Sequence, residues 1–580
     1  MRRLLNKARD RHLLAAIVLY VLGVAVYSNT FTSPFIFDDI PNIEDNPAIT
    51  LETLSLEGLY QAALESGSWR RPVAYLSFAL NYRLSGLDVR GFHLVNVFIH
   101  VFNGFVVYVL AMLLLGHRFN LPGTDAHTLT FAALAGACVF VVHPLQTQAV
   151  TYIVQRMTSL CTLFYLLAVL CYVCSRLDSV SGRWRYRIAA IGFGALALGT
   201  KEIAATLPLA LVLIEWCFFQ HARSDWLRAG GRYMLLAFVT FAVIGLVYLG
   251  FEPVSGITER YQDRAFSITE RLLTESRVLM FYLSLAAYPD PGRLNLLHDI
   301  AVSTDLVTPI TTLSSTAAII CVVLVGIAGV DRWPLVLFGC AWFLLTSVVE
   351  STVVGLELVY EHRMYLPMFG LCLLVCAICL KGALRSTVTW VMIIGLVGYL
   401  GAGTYLRNAI WADEVTLWVD VVTKSPDSAR ARNNLGRALL AQKLSDQAVI
   451  QLNQALFLDD DYAEPHNNLG VYYASQGQFE IAMGHFSQAV RIAPDSPSVR
   501  HNLGMALAET GRIADAIVEF SNAIRIKPDY AKAHIGLARL LADSGDHVRA
   551  CEHLHAAART IPESRIKSAL EQCPEYKVGR

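Results

Sequence analysis

The sequence is poor in charged residues and has no excess of either sign. Lys, Arg, Asp and Glu make up 16% of its 580 residues, and 47 basic residues balance 47 acidic ones. A balanced charge gives no general attraction to a phosphate backbone, so nothing here indicates nucleic-acid binding. The hydrophobic fraction is 55%, which is unusual for a soluble protein of this length.

Three short sequence signals are also missing. No Asn-x-Ser/Thr sequon occurs, which agrees with a bacterial origin. No His-Glu-x-x-His motif occurs, and we predict neither an essential metal nor a cofactor. No small-residue cleavage pattern follows the apolar stretch Leu13–Ser28, so we interpret it as a membrane anchor rather than a signal peptide.

The C-terminal part carries a strict 34-residue period. The recurring residues are Leu435, Leu469, Leu503 and Leu537; Ala448, Ala482, Ala516 and Ala550; and Gly436, Gly470 and Gly504, with Ala538 in the fourth repeat. This period is typical of tetratricopeptide (TPR) repeats, in which small residues allow two helices to approach closely. We predict four repeats over 427–562, then a capping helix and tail over 563–580.

Apolar stretches suited to crossing a bilayer recur through the first 407 residues. The predicted spans are 13–28, 92–115, 129–143, 157–175, 188–200, 203–220, 233–251, 303–330, 334–350, 364–380 and 386–406. The predicted fold class is therefore all-α: a polytopic bundle of about eleven spans with an external loop at 29–90, a linker at 408–426 and a TPR α-solenoid.

The basic residues set the expected orientation. An arginine-rich N-terminus lies in the cytoplasm by the positive-inside rule. A break at Lys201-Glu202 between two short spans keeps both flanking arginine-rich loops inside. Residues 277–288 are too few to cross and are expected to be re-entrant or interfacial. The repeat arm then lies outside, in the bacterial periplasm or, for a eukaryotic protein, in the endoplasmic reticulum lumen.

The cysteines are distributed unevenly between the apolar part and the repeat arm. Of twelve cysteines, ten lie in the apolar part, where we interpret them as small packing residues. Cys551 and Cys573 lie in the repeat arm and could pair in an oxidising compartment. Their spacing alone does not establish a disulfide.

Charged and polar residues from distant segments are expected at the external end of the bundle. They are Asp38, Asp39, His143, Arg156, Lys201, Glu202, Glu361, His362 and Arg363. Charged groups near a bilayer cost free energy, so they are usually paired or functional. Because these residues are all expected on the same side of the membrane, they indicate a functional site.

The order of these motifs resembles the transmembrane and TPR-repeat-containing protein O-mannosyltransferases, which have the C-type glycosyltransferase fold. The matching stretches are Phe37-Asp38-Asp39 with Asn46-Pro47, Gly91 to Asn96 with His100, His143-Pro144 to Val150 with Arg156, Lys201-Glu202, Leu296 to Asp299, and Glu361 to Pro367. The resemblance covers nearly the whole chain. It implies transfer of a sugar, expected to be mannose, from a polyprenyl-phosphate donor to a protein hydroxyl.

The resemblance also implies roles for the site residues. Asp38 would act as the base, and Asp39 would orient the base or the acceptor. Adjacent carboxylates near a bilayer should raise each other's pKa, which suits a base. The expected substrate- and phosphate-binding residues are His143, Arg156, Lys201, Glu202, Glu361, His362 and Arg363.

Each feature also has a structural interpretation. The Asp38-Asp39 pair could be solvated or cap a helix, His143 could cap a span, and Lys201 and Glu202 could neutralise each other. Residues 361–363 could form an ion-pair cluster. We interpret Asp45, Arg70 and Arg71 as surface residues, and His298 as satisfying a re-entrant backbone. For the whole protein, the alternatives are a non-catalytic membrane scaffold and an envelope glycan ligase or polymerase.

The repeat arm is expected to bind a protein or peptide acceptor in its concave groove. Asn434, Asn468 and Asn502 recur just before each Leu-Gly pair and could hold an extended peptide. The alternative is that this Asn-Leu-Gly step is a general feature of the repeat. Tethering an acceptor would raise its local concentration.

Overall fold

The structure is a computed structural model of a helical protein. It describes residues 2–118, 126–177, 182–250, 253–258, 261, 264–329, 333–380, 387–559, 567–571 and 573. Within these ranges every regular element is helical and there is no strand. The chain divides into two compact units, Met1–Asp413 and Glu414–Arg580.

The first unit contains seventeen α-helices within the described ranges. They are α1 (Arg2–Val26), α2 (Leu56–Leu64), α3 (Pro72–Ser85), α4 (Val89–Arg118), α5 (Ala126–Val142), α6 (Thr147–Val150), α7 (Arg156–Arg176), α8 (Arg183–Leu198), α9 (Leu207–Ile214), α10 (Ser224–Ala229), α11 (Gly231–Tyr248), α12 (Pro253–Thr258), α13 (Ile268–Ala287), α14 (Thr311–Ala328), α15 (Pro334–Ser347), α16 (Met368–Leu380) and α17 (Thr387–Ala409). Short 3-10 or π turns lie between them, at Ile40–Glu44, Pro47–Ile49, Pro144–Gln146, Ile153–Gln155, Glu202–Thr206, Glu215–Phe219, Pro291–Arg293, Glu361–Met364 and Ile410–Ala412.

Helix α5 forms the centre of this unit because it packs against α1, α4, α16 and α17. Its contacts need small residues. A Cβ on Gly136 would lie 2.8 Å from the carbonyl oxygen of Cys372, and a Cβ on Gly104 would lie 2.3 Å from a methyl of Val141. Such close backbone approach is how apolar helices gain packing energy in a membrane.

Fewer helices than the predicted eleven spans are, by length and composition, candidates to cross a membrane. Among the described residues, six helices are long and apolar enough to cross a membrane, or seven if the bent pair around His143 counts as one span. The prediction of about eleven counted shorter pieces. Helices α15 and α16 are apolar but have only 14 and 13 residues. The candidate membrane helices fit a multi-pass membrane protein.

Two apolar segments differ from the prediction. Residues 277–287 belong to α13, which starts nine residues earlier than the apolar pattern and opens with a capping box between Ser267 and Glu270. The apolar segment is therefore the C-terminal part of a 20-residue helix rather than a separate short piece, and its re-entrant or interfacial placement stays a prediction. Helix α14 begins at Thr311 rather than at 303 because Pro309 has no N–H to donate within a helix.

The helix break at Lys201-Glu202 is present. Helix α8 ends at Leu198, and Lys201 has an extended backbone before the turn Glu202–Thr206. The N–H of Val73 donates to the carbonyl of Gly199 at 2.9 Å. A Cβ on Gly199 would lie 2.8 Å from a Val73 methyl, so the glycine permits this approach.

The second unit is built from helix pairs. They are α19 (Ala429–Ala441) with α20 (Ser445–Leu458), α21 (Ala463–Ser475) with α22 (Phe479–Ile492), α23 (Pro497–Glu509) with α24 (Ile513–Ile526), and α25 (Ala531–Asp543) with α26 (His547–Ala558). A Cβ on Gly470 would lie 2.5 Å from the Phe486 ring, which explains the recurrent glycine. A short α27 (Lys567–Leu570) follows, and Cys551 and Cys573 form a disulfide.

The segment between bundle and repeats is not an unstructured linker. Residues 408–426, expected as a linker, contain α18 (Glu414–Lys424), which packs against α19. Leu417, Trp418 and Val421 of α18 are buried. The helix therefore covers the apolar face of the first repeat, as a capping element does in a solenoid.

The recurring asparagines join neighbouring repeats. The side-chain amide of Asn468 donates to Asn433, and that of Asn502 donates to Asn467, each at 2.8 Å. These bonds support the interpretation that the Asn-Leu-Gly step is part of the repeat itself.

Each repeat also has a polar pair between its two helices, spaced 19 residues apart. The pairs are Arg432–Gln451, His466–His485, Arg500–Glu519 and His534–His553. In the histidine pairs the two Nδ1 atoms are 3.2 and 2.9 Å apart, so at least one ring must be neutral to accept the bond.

The histidine pair of the second repeat should make that repeat sensitive to acid. Burial first, and then neighbouring His466, lower the pKa of His485. A lowered histidine pKa gives stability that is present above the unfolded value of about 6.5 and is lost as the pH falls below it. Exchange-rate-corrected hydrogen–deuterium exchange should show faster exchange over 463–492 at pH 5.5 than at pH 7.5.

The matched control is the variant His466→Arg/His485→Glu, which copies the Arg500–Glu519 pair of the next repeat. Its exchange over the same residues should lose most of the difference between the two pH values. Equal protection of the wild-type repeat at both pH values would contradict the assignment.

Candidate active site

The two adjacent carboxylates of the first loop have different surroundings. Asp39 is buried, and its two oxygens accept the N–H of Ile36 at 3.1 Å and of Val154 at 2.6 Å. Asp38 is half-buried, and its backbone N–H donates to the Tyr152 hydroxyl at 2.9 Å. The turn places Phe37 in the left-handed region, with φ of 54°, which is uncommon for a bulky residue.

Asp39 is therefore a positioning group. Burial, aided by the charge of Asp38, raises its pKa to about 8 against the effect of the backbone hydrogen bonds. The direction expected from the neighbouring carboxylate is present for Asp39, but burial is the largest cause of the raised pKa. Asp39 fixes the loop onto Val154 and leaves Asp38 as the more accessible carboxylate.

Lys201 and Glu202 do not neutralise each other. Lys201 Nζ lies 2.8 Å from Glu350 Oε1, and both side chains are less than a tenth exposed. The same ammonium donates to Thr158 at 3.0 Å. Glu202 instead accepts three hydrogen bonds from Arg71, two on Oε1 at 3.0 and 3.1 Å and one on Oε2 at 3.0 Å. The interpretation of Arg71 as a surface residue was wrong.

The Lys201–Glu350 pair is a buried ion pair. Burial alone would raise the pKa of Glu350, but Lys201 and Arg363 outweigh burial and hold that pKa below its ordinary value. Sequence reasoning missed Glu350 as a site residue. Its signal was a carboxylate at the end of an apolar span, a position where an unpaired charge is costly.

Residues 361–363 each reach a different segment. Glu361 accepts the N–H of Asn295 at 2.5 Å and the Nε2 of His298 at 2.9 Å. The backbone N–H and Nδ1 of His362 both donate to the side-chain carbonyl of Gln148, at 2.8 and 2.9 Å. His298 thus pairs with Glu361, whereas we had interpreted it as satisfying backbone.

Arg363 makes no direct contact with a carboxylate among the described residues. Its guanidinium donates to the carbonyls of Leu358 at 3.0 Å and Glu357 at 2.7 Å, and it lies 5.5 Å from the Tyr360 ring centroid. Its Nε is buried without a hydrogen-bond partner among the described residues. A guanidinium bound to neutral carbonyls can still attract an anion.

These cations act on one another. Burial, and then Lys201, Arg363 and Arg71, hold the pKa of His362 well below its ordinary value, so the imidazole is neutral. Lys201 and Arg363 also lower the pKa of Glu350, to which Lys201 is directly bound. The two cations therefore act on the same two groups, His362 and Glu350.

Arg156 and His143 are occupied by structural contacts. Arg156 is fully buried, and its guanidinium donates to Asn96 at 2.6 Å, Asn81 at 2.7 Å and the carbonyls of Ser77 and Phe92 at 3.2 and 3.0 Å. His143 accepts from the N–H of Leu145 and donates to the carbonyl of Ala286. Arg156 binds α3 and α4 to α7, and His143 caps the turn Pro144–Gln146. Neither geometry supports phosphate contact.

The segment 147–155 connects the acidic loop with the cationic cluster. Tyr152 and Val154 hold Asp38 and Asp39, and Gln148 holds His362. Like Glu350, Gln148 was not predicted as a site residue from the sequence. A single amide side chain in a short apolar segment belongs to no recognisable motif. Its Nε2 is buried without a partner among the described residues.

Loss of Arg156 should destabilise the first unit strongly. Arg156→Met would leave its buried acceptors unsatisfied, at about 1–3 kcal/mol each. We expect a lower thermal unfolding temperature of the full chain in detergent. Arg83→Met, on the exposed surface of α3, is the matched control and should change the temperature little. Equal effects of both variants would contradict the structural role.

The Lys201–Glu350 pair should show the asymmetry of a buried ion pair. Lys201→Met should cost about 3–5 kcal/mol because Glu350 is left buried and charged. The double variant Lys201→Met/Glu350→Leu should recover most of this stability. Arg512→Met, in an exposed pair with Asp515, should cost about 0–1 kcal/mol. A double variant as unstable as the single one would contradict the pairing.

Comparison with known proteins gives two kinds of match. Tetratricopeptide-repeat models match residues 415–463, 467–493 and 507–573. Among solved structures, the crystal structure of MamA matches 26% of this chain and 89% of its own at 20% identity, with a TM-score of 0.24.

Three curated relatives match different shares of this chain. Protein O-mannosyl-transferase F38B6.6 of Caenorhabditis elegans is 26% identical over 79% of this chain and 64% of its own. Human Protein O-mannosyl-transferase TMTC3 is 24% identical over 77% and 51%. Drosophila melanogaster Tmtc1 is 33% identical over 34% and 22%.

The chain spans between about half and two thirds of the length of the first two relatives. All three relatives are named protein O-mannosyl-transferases. The homologues of this chain are therefore protein O-mannosyl-transferases of the TMTC family, that is, glycosyltransferases, and the chain itself carries tetratricopeptide repeats.

Proposed function

We propose that this chain is a membrane glycosyltransferase that moves mannose from a polyprenyl-phosphate donor to a hydroxyl group of a protein. The reaction takes place at the outer face of the membrane, on the side of the Asp38-Asp39 loop. The curated homologues support the reaction class, because they are named protein O-mannosyl-transferases.

One observation carries the proposal. The segment 147–155 holds the acidic loop through Tyr152 and Val154, and it holds His362, next to Arg363, through Gln148. A carboxylate and an uncompensated guanidinium are thus attached to the same short segment. Transfer from a phosphate-linked sugar needs these two groups, a base for the acceptor and a cation for the leaving phosphate.

The chemistry follows from this arrangement. The acceptor oxygen attacks the anomeric carbon, and its proton passes to the carboxylate of Asp38. The bond from the anomeric carbon to the phosphate oxygen breaks, and polyprenyl phosphate leaves with the bonding electrons. Arg363 stabilises the charge that grows on that phosphate.

The remaining residues position these two groups. Asp39 fixes the loop that carries Asp38. Glu350 neutralises the charge of Lys201. Lys201 therefore orients Glu350 beside Arg363 and does not bind the phosphate by itself. Glu361 and His362 hold the turn on which Arg363 lies. Arg156 and His143 maintain the helix packing beneath.

The repeat arm is proposed to hold the protein acceptor outside the cytoplasm. Tetratricopeptide repeats bind proteins or peptides in a concave groove. The Cys551–Cys573 disulfide supports an oxidising compartment for the arm, as does the arginine-rich N-terminus on the opposite side.

Asp38→Asn should abolish sugar transfer while leaving the fold intact. Loss of a general base lowers rates by about 10²- to 10⁴-fold. The measurement is transfer of radiolabelled mannose from polyprenyl-phosphate-mannose to candidate acceptor proteins by the purified full chain. Asp45→Asn, an exposed carboxylate seven residues away, is the matched control and should retain wild-type rates.

The alternatives give other outcomes in the same experiment. A membrane scaffold predicts no transfer by the wild-type protein and full cellular function of Asp38→Asn. A glycan ligase or polymerase predicts unmodified protein acceptors and loss of a surface glycan in cells that carry Asp38→Asn. Wild-type rates for Asp38→Asn with a folded protein would reject Asp38 as the base.

A further inference from the structure

Residues 351–360 contain no helix or strand, although they connect two residues of the candidate site. Glu350, before this segment, pairs with Lys201, and Arg363, after it, donates to two of its carbonyls. We call residues 350–360 the site loop. A buried backbone that makes no regular helix or sheet bonds needs other groups to bind its polar atoms. The shape of the site loop therefore depends on the elements that contact it.

Helix α13 holds the first part of the site loop through one arginine. Arg271 is fully buried, and each of the three nitrogens of its guanidinium donates to a backbone carbonyl of the loop. The acceptors are Glu350 at 2.8 Å, Thr352 at 2.8 Å and Leu356 at 2.5 Å. Because the guanidinium is rigid and planar, these three bonds fix the relative positions of the residues that accept them.

The charge of Arg271 is compensated within α13 itself. Glu275, one helical turn later, lies 2.8 Å from the guanidinium, and the two side chains are 0 and 2% exposed. An opposite charge in direct contact offsets the attraction of a guanidinium for other anions. Arg271 therefore differs from Arg363, which donates to carbonyls alone. Arg271 is suited to hold the loop rather than to bind a phosphate.

The same helix holds the other end of the site loop through a tyrosine. The hydroxyl of Tyr282 accepts the N–H of Tyr360 and donates to the carbonyl of the same residue, both at 3.0 Å. Tyr360 directly precedes the turn Glu361–Met364, on which Arg363 lies. Arg271 and Tyr282 are separated by roughly 16 Å along the helix axis. One rigid helix thus contacts both ends of the loop.

We propose that Arg271 and Tyr282 are positioning residues for sugar transfer: they shape the site loop and so place the guanidinium of Arg363 against the leaving phosphate. This inference rests on the proposed function, and neither residue touches a substrate in it. A guanidinium that is anchored on loop carbonyls moves when those carbonyls move. A displacement of about 1 Å at a reacting centre can lower a rate about 10²-fold.

Arg271→Lys and Tyr282→Phe test the inference with small changes. Lysine retains the charge that pairs with Glu275, but its three donors share one nitrogen and do not match acceptors arranged around a planar fork. We expect kcat for mannose transfer by the purified full chain to fall about 10²-fold for Arg271→Lys, and less for Tyr282→Phe. The donor KM should change little in both variants, because neither residue contacts the donor.

Two variants in the same part of the chain are the matched controls. Arg277→Lys changes an arginine of α13 that donates to Ala301 and Ser303, outside the site loop. Tyr288→Phe removes the hydroxyl of a side chain at the end of α13 that is 55% exposed. Both variants should retain the wild-type kcat.

A double-mutant cycle separates positioning from a general loss of structure. If Arg271 acts through Arg363, Arg271→Lys should cost little further activity in a protein that already carries Arg363→Gln. Equal losses of kcat with and without Arg363 would overturn the inference, because Arg271 would then support the bundle as a whole.

Hydrogen–deuterium exchange of the full chain in detergent gives a readout that does not depend on the reaction. Arg271→Lys and Tyr282→Phe should both speed exchange over 350–360, and the two control variants should not. Unchanged exchange in this segment, or wild-type kcat in both variants, would overturn the inference and leave the proposed function in place. Faster exchange in the variants, with no mannose transfer by the wild-type protein, would show that α13 shapes the loop and would reject the sugar transfer on which the inference rests.

Discussion

Charge compensation inside a poorly hydrated helix bundle is the constraint on which the first unit depends. An ammonium and a carboxylate taken out of water cost several kcal/mol each unless they are paired and hydrogen-bonded. Lys201 and Glu350 meet this requirement together, with Thr158 as a further acceptor. This pair joins the helix break after α8 to the loop after α15, and these two segments lie beside the candidate site.

The same constraint separates residues that hold the structure from residues that can act. Arg156 donates to four neutral acceptors and is fully enclosed, so its charge is committed to packing. Arg363 has neutral neighbours but no carboxylate in direct contact within the described chain. A cation in that situation attracts an anion strongly in a low-dielectric setting, which is why it enters the proposal for a phosphate-bearing substrate.

The repeats are held together by close helix packing and by asparagine hydrogen bonds rather than by buried ion pairs. Each helix pair approaches closely because Gly436, Gly470 and Gly504 leave room for a facing side chain. Asparagine bonds then join one repeat to the next. The polar pair between the two helices of a repeat varies at the same spacing: it is Arg–Gln in the first repeat, Arg–Glu in the third and His–His in the second and fourth. The small residues thus determine how closely the helices pack, whereas the polar side chains between the helices can differ from repeat to repeat.

The sequence by itself determined the features that depend on local spacing. The 34-residue period predicted the helix pairs, and the arginine-rich loops on both sides of residues 188–219 predicted the break at Lys201-Glu202. The sequence did not determine the span count, since helix ends depend on packing, or the partners of Lys201, Arg71 and His362. Those partners lie 149 residues away for Lys201, 131 for Arg71 and 214 for His362. Only the tertiary structure selects them, because a buried charge pairs with whichever group the folded bundle brings within hydrogen-bond distance.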